Sequence, residues 1–360
     1  MGKNRDNSIN DRQSEIARII ASQNGISSGE VLSFLSKKFT SSLVTIKRDV
    51  STLEKLGLIK HVGAARARKY FSTPSYKLLA PVNINQYFYH ERQPKDIYTR
   101  FDNSIFSTIK NATIFSRQET QRLDNTTGNA RQRRQKLSAT IQSQELERFI
   151  IEFSWKSSRI EGNTYSLLET EALIKHGQLA KDKDKKEAQM ILNHKQSLSL
   201  IFNNSDKFKT LSVATIEHIH GSLVNNLDIS KNIRTIAVGI TGTYYRPLDN
   251  QFQIREAMEN MCTLINKISN PFEKSLAAML LLAYIQPFED GNKRTSRVIG
   301  NALLLAHNKL PLSYRATQEE EYKKAVILFY EKHNLSYFKE LFMQQYEFVA
   351  QNYFKVRNPS

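Results

Sequence analysis

Apolar residues recur at helical spacing in three short runs near the start of the chain. Ile16, Ile19 and Ile20 mark a stripe over about Asp11 to Ser22, and Val31, Leu32 and Leu35 follow Ser28-Gly29-Glu30. Val44, Ile46, Val50, Leu53 and Leu56 then run from about Ser41-Ser42 to a stop at Gly57. Leu58 to Gly63 and Tyr70-Phe71 flank a basic stretch with Arg66, Arg68 and Lys69, predicting two short strands around a loop. From Pro74 to Arg134 no period holds. Pro81, Pro94, clustered tyrosines and the polar run Asp124 to Asn129 predict a connecting region. Arg131, Arg133, Arg134 and Lys136 read as a solvated face.

From about Leu137 the pattern is helical, with Leu146, Phe149, Ile150 and Phe153 on one stripe. Ser157 to Gly162 ends that helix, and Ser166 with Glu169 is a capping box that opens another. Helices follow over Glu187–Phe202 and Leu211–Val224. His218 and His220, two apart, point to different faces and do not suggest a shared metal site. Alternation through Ile236, Val238 and Ile240, with Gly239 and Gly242, predicts a short hairpin within Arg234 to Pro247. Helix returns over Gln253–Ile268, Leu276–Ile285 and Thr295–His307, and again from Tyr322 to Phe348.

Composition adds three points. The 360 residues, 40% of them hydrophobic, support a sizeable core and two or three domains, and no apolar run approaches the roughly 20 residues that span a bilayer. The polar start, Met1 to Asp6, lacks the apolar core of a secretion signal, and a lone Cys262 excludes an internal disulfide, both fitting a reducing cytoplasm. A formal charge of +17 points to anionic partners. The first 80 residues hold 14 Lys/Arg against 6 Asp/Glu, a net of +8.

The densest chemistry lies in Gln286-Pro-Phe-Glu-Asp-Gly-Asn-Lys-Arg-Thr-Ser-Arg297. A helix breaks at Pro287, turns through Gly291-Asn292 and restarts with Arg294 and Arg297 three residues apart on one face. Asp290 suits a hard divalent cation, the turn amides and helix start favour an anion, and the arginines grip phosphate. The same spacing also fits a capping turn with solvated arginines.

That stretch resembles the signature loop of Fic-domain proteins, His-x-Phe-x-Asp/Glu-Gly-Asn-Gly-Arg-x-x-Arg, with Phe288, Asp290, Gly291, Asn292, Arg294 and Arg297 in register. The resemblance covers about residues 140 to 345. It implies an ATP site with phosphates on Gly291, Asn292, Lys293, Arg294 and Arg297, Mg2+ on Asp290, and AMP transfer to a hydroxyl of an unidentified protein target. Ser157, Glu161 and Gly162 fall on the family's inhibitory motif Ser/Thr-x-x-x-Glu-Gly/Asn, which implies that Glu161 pairs with Arg297 and inhibits in cis. Val238, Gly239, Ile240 and Thr241 fall where the family has a flap that holds the target peptide by strand addition. A plain edge hairpin is the other reading of that stretch.

Two positions depart from the pattern. Gln286 stands where the family has its catalytic histidine, and a glutamine amide accepts no proton near neutral pH. Losing a general base lowers a rate by roughly 10²–10⁴-fold. Lys293 replaces a glycine and makes Asn-Lys-Arg, similar to Doc-type relatives that transfer a phosphoryl group. An AMP transferase, a pseudoenzyme sensing nucleotide or peptide, and a phosphotransferase all remain open.

The head of the chain resembles a winged helix-turn-helix domain. By that resemblance Ser42, Thr45, Lys47 and Arg48 face a DNA major groove, and Arg66 and Arg68 meet phosphate from the wing. Winged helices also serve as protein-interaction modules. The expected organisation is a mainly α chain: a winged helix-turn-helix domain over 1–75, a connecting region over 76–136, and an all-helical Fic-type core with a small β-hairpin flap over 137–350. ATP and DNA are the expected partners, no membrane is implied, and a homodimer is compatible with the pattern.

Overall fold

The computed structural model describes residues 9–36, 38–89 and 91–355. Three helices, α1 (Asp11–Ala21), α2 (Ser28–Leu35) and α3 (Leu43–Lys55), are followed by an antiparallel pair, β1 (Ile59–Val62) and β2 (Lys69–Ser72). The expected stripes supply the core: Ile16, Ile20, Val31, Leu35, Ile46, Val50 and Leu53 are all buried. Each helix begins where the sequence offers a cap, with Asn10, Ser27 and Ser42 accepting a backbone N–H. Among the described residues of this unit, Asp49 is the one buried charged group. Its carboxylate takes Arg12 Nε at 2.6 Å and Gln13 Nε2 at 3.1 Å, fastening α3 to α1.

Helices α4 (Pro74–Leu79), α5 (Ile84–Tyr89), α6 (Ser104–Lys110) and α7 (Arg117–Gln135) come next. Residues 117–135, expected as part of an irregular connection, form a continuous helix. Glu119, Leu123, Thr127 and Ala130 are its buried stripe, and Thr127 bonds Tyr346 across to the last helix. The polar run that reads as a loop is the solvent face of this helix. Its apolar signal is only two residues strong, so tertiary packing overrides local preference.

The body continues with α8 (Ala139–Ile160), α9 (Leu167–His176), α10 (Lys185–Asn203), α11 (Val213–Leu223), α12 (Gln251–Lys267), α13 (Pro271–Ile285), α14 (Asn292–Ala306), α15 (Glu319–Lys332) and α16 (Ser336–Asn352). Helix α13 is apolar nearly all round and buried from Lys274 to Ile285, which makes it the central rod. It packs along α14, and Gly300 permits the close approach, since a Cβ there would lie 2.5 Å from Met279. The run expected from Tyr322 to Phe348 breaks at His333, which adopts a left-handed conformation and ends α15.

Residues 234–247 do not form the expected hairpin. Among the described residues the only sheet is β1–β2, and the second half contributes one isolated bridge, Arg246 to Arg100. The buried Arg234 guanidinium explains this. It donates to the carbonyls of Ile236, Leu248 and Gln286, so a side chain gathers the ends of the segment that cross-strand bonds would otherwise have joined. No helix of the described residues is long and apolar enough to cross a membrane.

Replacing Asp49 with Ala removes the clasp between α1 and α3 and leaves Arg12, itself partly exposed, to solvent. The expected cost is about 2 kcal/mol, less than the 3–5 kcal/mol of a fully buried pair. Amide exchange should speed up in α1 and α3 and stay unchanged in α13. Uniform acceleration along the chain would contradict this division of the core.

Candidate functional site

Helix α13 ends at Gln286, whose φ of 51° and ψ of 60° are left-handed while its N–H still bonds Leu282 O at 3.1 Å. A non-glycine residue there carries strain of about 1 kcal/mol or more. Arg234 holds the turn, with Nε donating to Gln286 O at 2.7 Å and its own N–H to Pro287 O at 3.0 Å. The Gln286 side chain turns inward. Its Nε2 donates to Ala283 O at 2.6 Å and to the Tyr330 hydroxyl oxygen at 3.3 Å, so the amide caps a helix-end carbonyl. Burial pushes the Tyr330 hydroxyl well above its ordinary range, so it stays protonated and is no base near neutral pH.

Beyond the turn, Asn292 closes the loop on itself: Oδ1 accepts Phe288 N–H at 2.9 Å and Nδ2 donates to Phe288 O at 2.7 Å. The Phe288 ring lies flat on His220, centroids 3.6 Å apart. His220 in turn bonds Ser230 O through Nε2 at 3.2 Å and faces Thr295 Oγ1 at 3.3 Å. Gly291, also left-handed, precedes α14, and no side chain caps that helix. Its first-turn N–H groups and positive end are therefore left for an anion.

The two arginines are buried, not solvated. Arg294 is 1% exposed; one Nη donates to Asp290 Oδ2 at 2.8 Å, and the other, Nη1, has no partner. A buried guanidinium N–H without an acceptor is costly, and an anion at the loop would satisfy it. Arg297 is fully buried and fully occupied. Its Nε donates to Ser157 Oγ at 2.9 Å, Nη2 to Ser157 O at 2.8 Å and Nη1 to Glu161 Oε1 at 2.9 Å, with the Tyr322 ring 5.1 Å away. The other Glu161 oxygen meets Lys293 Nζ at 2.9 Å. Burial raises the Glu161 pKa, but Arg297 and Lys293 outweigh it and pull it down to about 2.

Glu161 reaches this position because α8 stops there. Gly162 has a φ of 99°, and Asn163 N–H bonds back to Ser158 O at 3.2 Å, a Schellman-type ending that needs glycine. Behind it, Met190 O accepts the proton on His194 Nδ1 at 2.8 Å. His194 Nε2 is then an acceptor for the Ser157 hydroxyl at 2.8 Å, and the Ser157 oxygen is free to receive Arg297.

The expected site thus assembles in part. Ser157, Glu161, Lys293 and Arg297 meet in one cluster, and Asp290 joins Arg294 at the exposed lip. Asn292 spends its side chain on the loop, leaving its N–H for a ligand. Spacing alone did not reveal Arg234, His194 or His220, because each acts on a backbone or side chain distant in sequence. Among the described residues no group of three or more His, Cys, Asp or Glu could hold a metal. A cation at Asp290, whose carboxylate is 66% exposed, would need phosphate oxygens and water as its other ligands. Of the residues expected to form a flap, Gly239 and Thr241 are exposed and Val238 and Ile240 half-buried.

At the head of the chain, Lys47, Arg48, Arg66 and Arg68 are exposed and pair with no carboxylate among the described residues. Ser42 and Thr45 are engaged with each other, hydroxyls 3.0 Å apart, with Ser42 Oγ capping α3.

Residues 210–304 match the model of the Fic/DOC family. The chain is 24% identical over 172 residues to "Protein adenylyltransferase fic-1" of Caenorhabditis elegans and 25% identical over 172 residues to "Protein adenylyltransferase Fic" of Nematostella vectensis. These matches cover 45% and 47% of this chain, and only 33% and 40% of those relatives. The chain therefore spans well under half the length of the curated relatives it matches. Its fold is similar to a C. elegans Fic-1 structure (residues 134–508; TM-score 0.54, 20% identity, covering 65% of this chain and 70% of that one). It is also similar to a Fic domain containing signaling protein from Bacteroides thetaiotaomicron (TM-score 0.53, 18% identity, covering 67% and 100%). A mainly helical chain carrying a Fic/DOC family domain is what these findings support.

Burial holds His194 at about 3 and His220 and His333 at about 4, so all three are neutral in the fold. An unfolded histidine titrates near 6.5, so between about pH 6.5 and 4 the unfolded chain binds protons that the fold refuses. Stability is full above pH 6.5 and falls on acidification, by about 2 kcal/mol per histidine at pH 5. Thermal unfolding at pH 7 and pH 5 should show the drop, and His194→Gln should shrink it. Equal midpoints would rule out the neutral assignment.

Proposed function

We propose that this chain is an ATP-binding Fic-type protein of the adenylyltransferase kind, held closed by Glu161 and deprived of its general base at Gln286. One observation carries the reading: Arg297, fully buried, is occupied by the Glu161 carboxylate while its neighbour Arg294 keeps an unpartnered N–H. A carboxylate on Arg297 excludes phosphate by charge and by occupancy. ATP is the anion that the relatives' named activity brings to such a loop. Its phosphates would take the α14 N–H groups, Arg294 and, once Glu161 leaves, Arg297. Asp290 would hold Mg2+ together with those phosphates, and the ion would neutralise their charge.

AMP transfer forms a bond from a target hydroxyl to the α-phosphorus and releases pyrophosphate, and the hydroxyl proton needs an acceptor. Gln286 cannot accept it and is already committed to Ala283 and Tyr330. The chain is accordingly slow or inert as it stands. Apart from the Arg246–Arg100 bridge, residues 234–247 make no strand pairs, and the exposed Gly239 and Thr241 suit an added peptide strand.

Incubation with α-labelled ATP and candidate protein targets tests this. Gln286→His combined with Glu161→Gly should raise label transfer by roughly 10²-fold or more over the native chain. A double variant that binds ATP and transfers nothing would end the transferase reading and leave a nucleotide sensor.

A second activity rests on its own observation. The three helices, the β1–β2 pair and the unpaired Lys47, Arg48, Arg66 and Arg68 fit a winged helix-turn-helix domain that binds DNA. Four phosphate contacts release enough counterions for log K to fall against log salt with a slope of about −3 to −4. A filter-binding titration that is flat in salt would discard it.

A further inference from the structure

Lys293 was expected among the phosphate ligands, and its ammonium is found elsewhere. Nζ lies 2.9 Å from Glu161 Oε2, while Arg297 Nη1 takes Oε1 of the same carboxylate at 2.9 Å. The two oxygens are thus shared out, one to each cation. Lys293 and Arg297 stand four residues apart on α14, so both side chains leave one face of the helix and converge on the end of α8. The contact is well shielded: the side chains of Lys293 and Glu161 are 28% and 16% exposed. Arg297 has a second anchor in Ser157, but among the described residues Glu161 Oε2 has only Lys293.

We propose that Lys293 is a positioning residue for the Glu161 brake, a second clasp that keeps the carboxylate on Arg297, and not a ligand of the nucleotide in the resting protein. This rests on the reading of the loop as a nucleotide cradle closed by Glu161, and it adds how that closure is held. The physical argument is one of geometry. A carboxylate bound at one oxygen can rotate about its last bond and swing off Arg297, whereas one bound at both oxygens by cations on a single helix cannot. At this position a glycine would leave Oε2 free. The clasp therefore belongs to this chain's own departure from the loop pattern, and it makes the closed state harder to open.

Two readouts test it, one of them independent of nucleotide. In protein with 13C-labelled glutamate, titration of the Glu161 carboxyl should move upward in Lys293→Met, toward the ordinary carboxylate range, and stay in place in Lys293→Arg. An unmoved titration in Lys293→Met overturns the clasp. Calorimetric titration with Mg-ATP gives the second readout. Lys293→Met should bind about five-fold more tightly than the native chain, the worth of one partly buried pair, and Lys293→Arg should match the native chain. In a Glu161→Gly background Lys293→Met should bring no further gain. Weaker or unchanged binding by Lys293→Met in the native background would make Lys293 a phosphate ligand or a bystander. Failure of Glu161→Gly to bind ATP at all, with the carboxyl titration shifted as expected, would refute the nucleotide reading and leave the clasp standing.

Discussion

A guanidinium with no access to water must find its acceptors inside the protein, and Arg297 is such a group. It finds them at the end of α8, in Ser157 and Glu161, with the Tyr322 ring of α15 against its face. That one charge on α14 therefore ties α8 and α15 to the α13–α14 pair. The arrangement of the loop follows from it. Because the cation is buried, its carboxylate must be close, and Glu161 meets it at 2.9 Å.

The turn at Gln286 shows how the loop keeps its shape. Its shape is a property of the backbone, a left-handed residue held by Arg234 and by the Asn292 bridge to Phe288. None of these bonds involves the ring of a histidine. The Gln286 amide finds Ala283 O and the Tyr330 hydroxyl, so its side chain is satisfied by hydrogen bonding inside the turn.

The basic excess of the chain divides into two kinds of cation. In the body, Arg234, Arg294 and Arg297 are buried and engaged with carbonyls or carboxylates. In the N-terminal unit, Lys47, Arg48, Arg66 and Arg68 stand in water without carboxylate partners. The first kind organises the protein; the second is available to an outside anion. Leu79, packed against both cores, and a cleft of about 620 Å³ between them mark where the two parts meet.

Helix periodicity, capping residues and the loop pattern were legible in the sequence, since they depend on neighbours within one or two turns. The three N-terminal helices, the β1–β2 pair and the convergence expected of Glu161 with Arg297 all rest on such local signals or on a recognised spacing. What could not be read was decided by contacts far apart in the chain. Residues 117–135 are helical because Thr127 bonds Tyr346, 219 residues on, and Leu123 joins the body's core, against a polar local sequence. Residues 234–247 forgo a hairpin because Arg234 gathers carbonyls 2, 14 and 52 positions away. Lys293, read as a phosphate ligand from its place in the loop, is turned to Glu161 by the packing of α8 on α14. The residue types present were thus settled by the sequence alone; which partner each buried charge receives was settled by the fold, because desolvation compels a charge to accept whatever acceptor tertiary packing brings near.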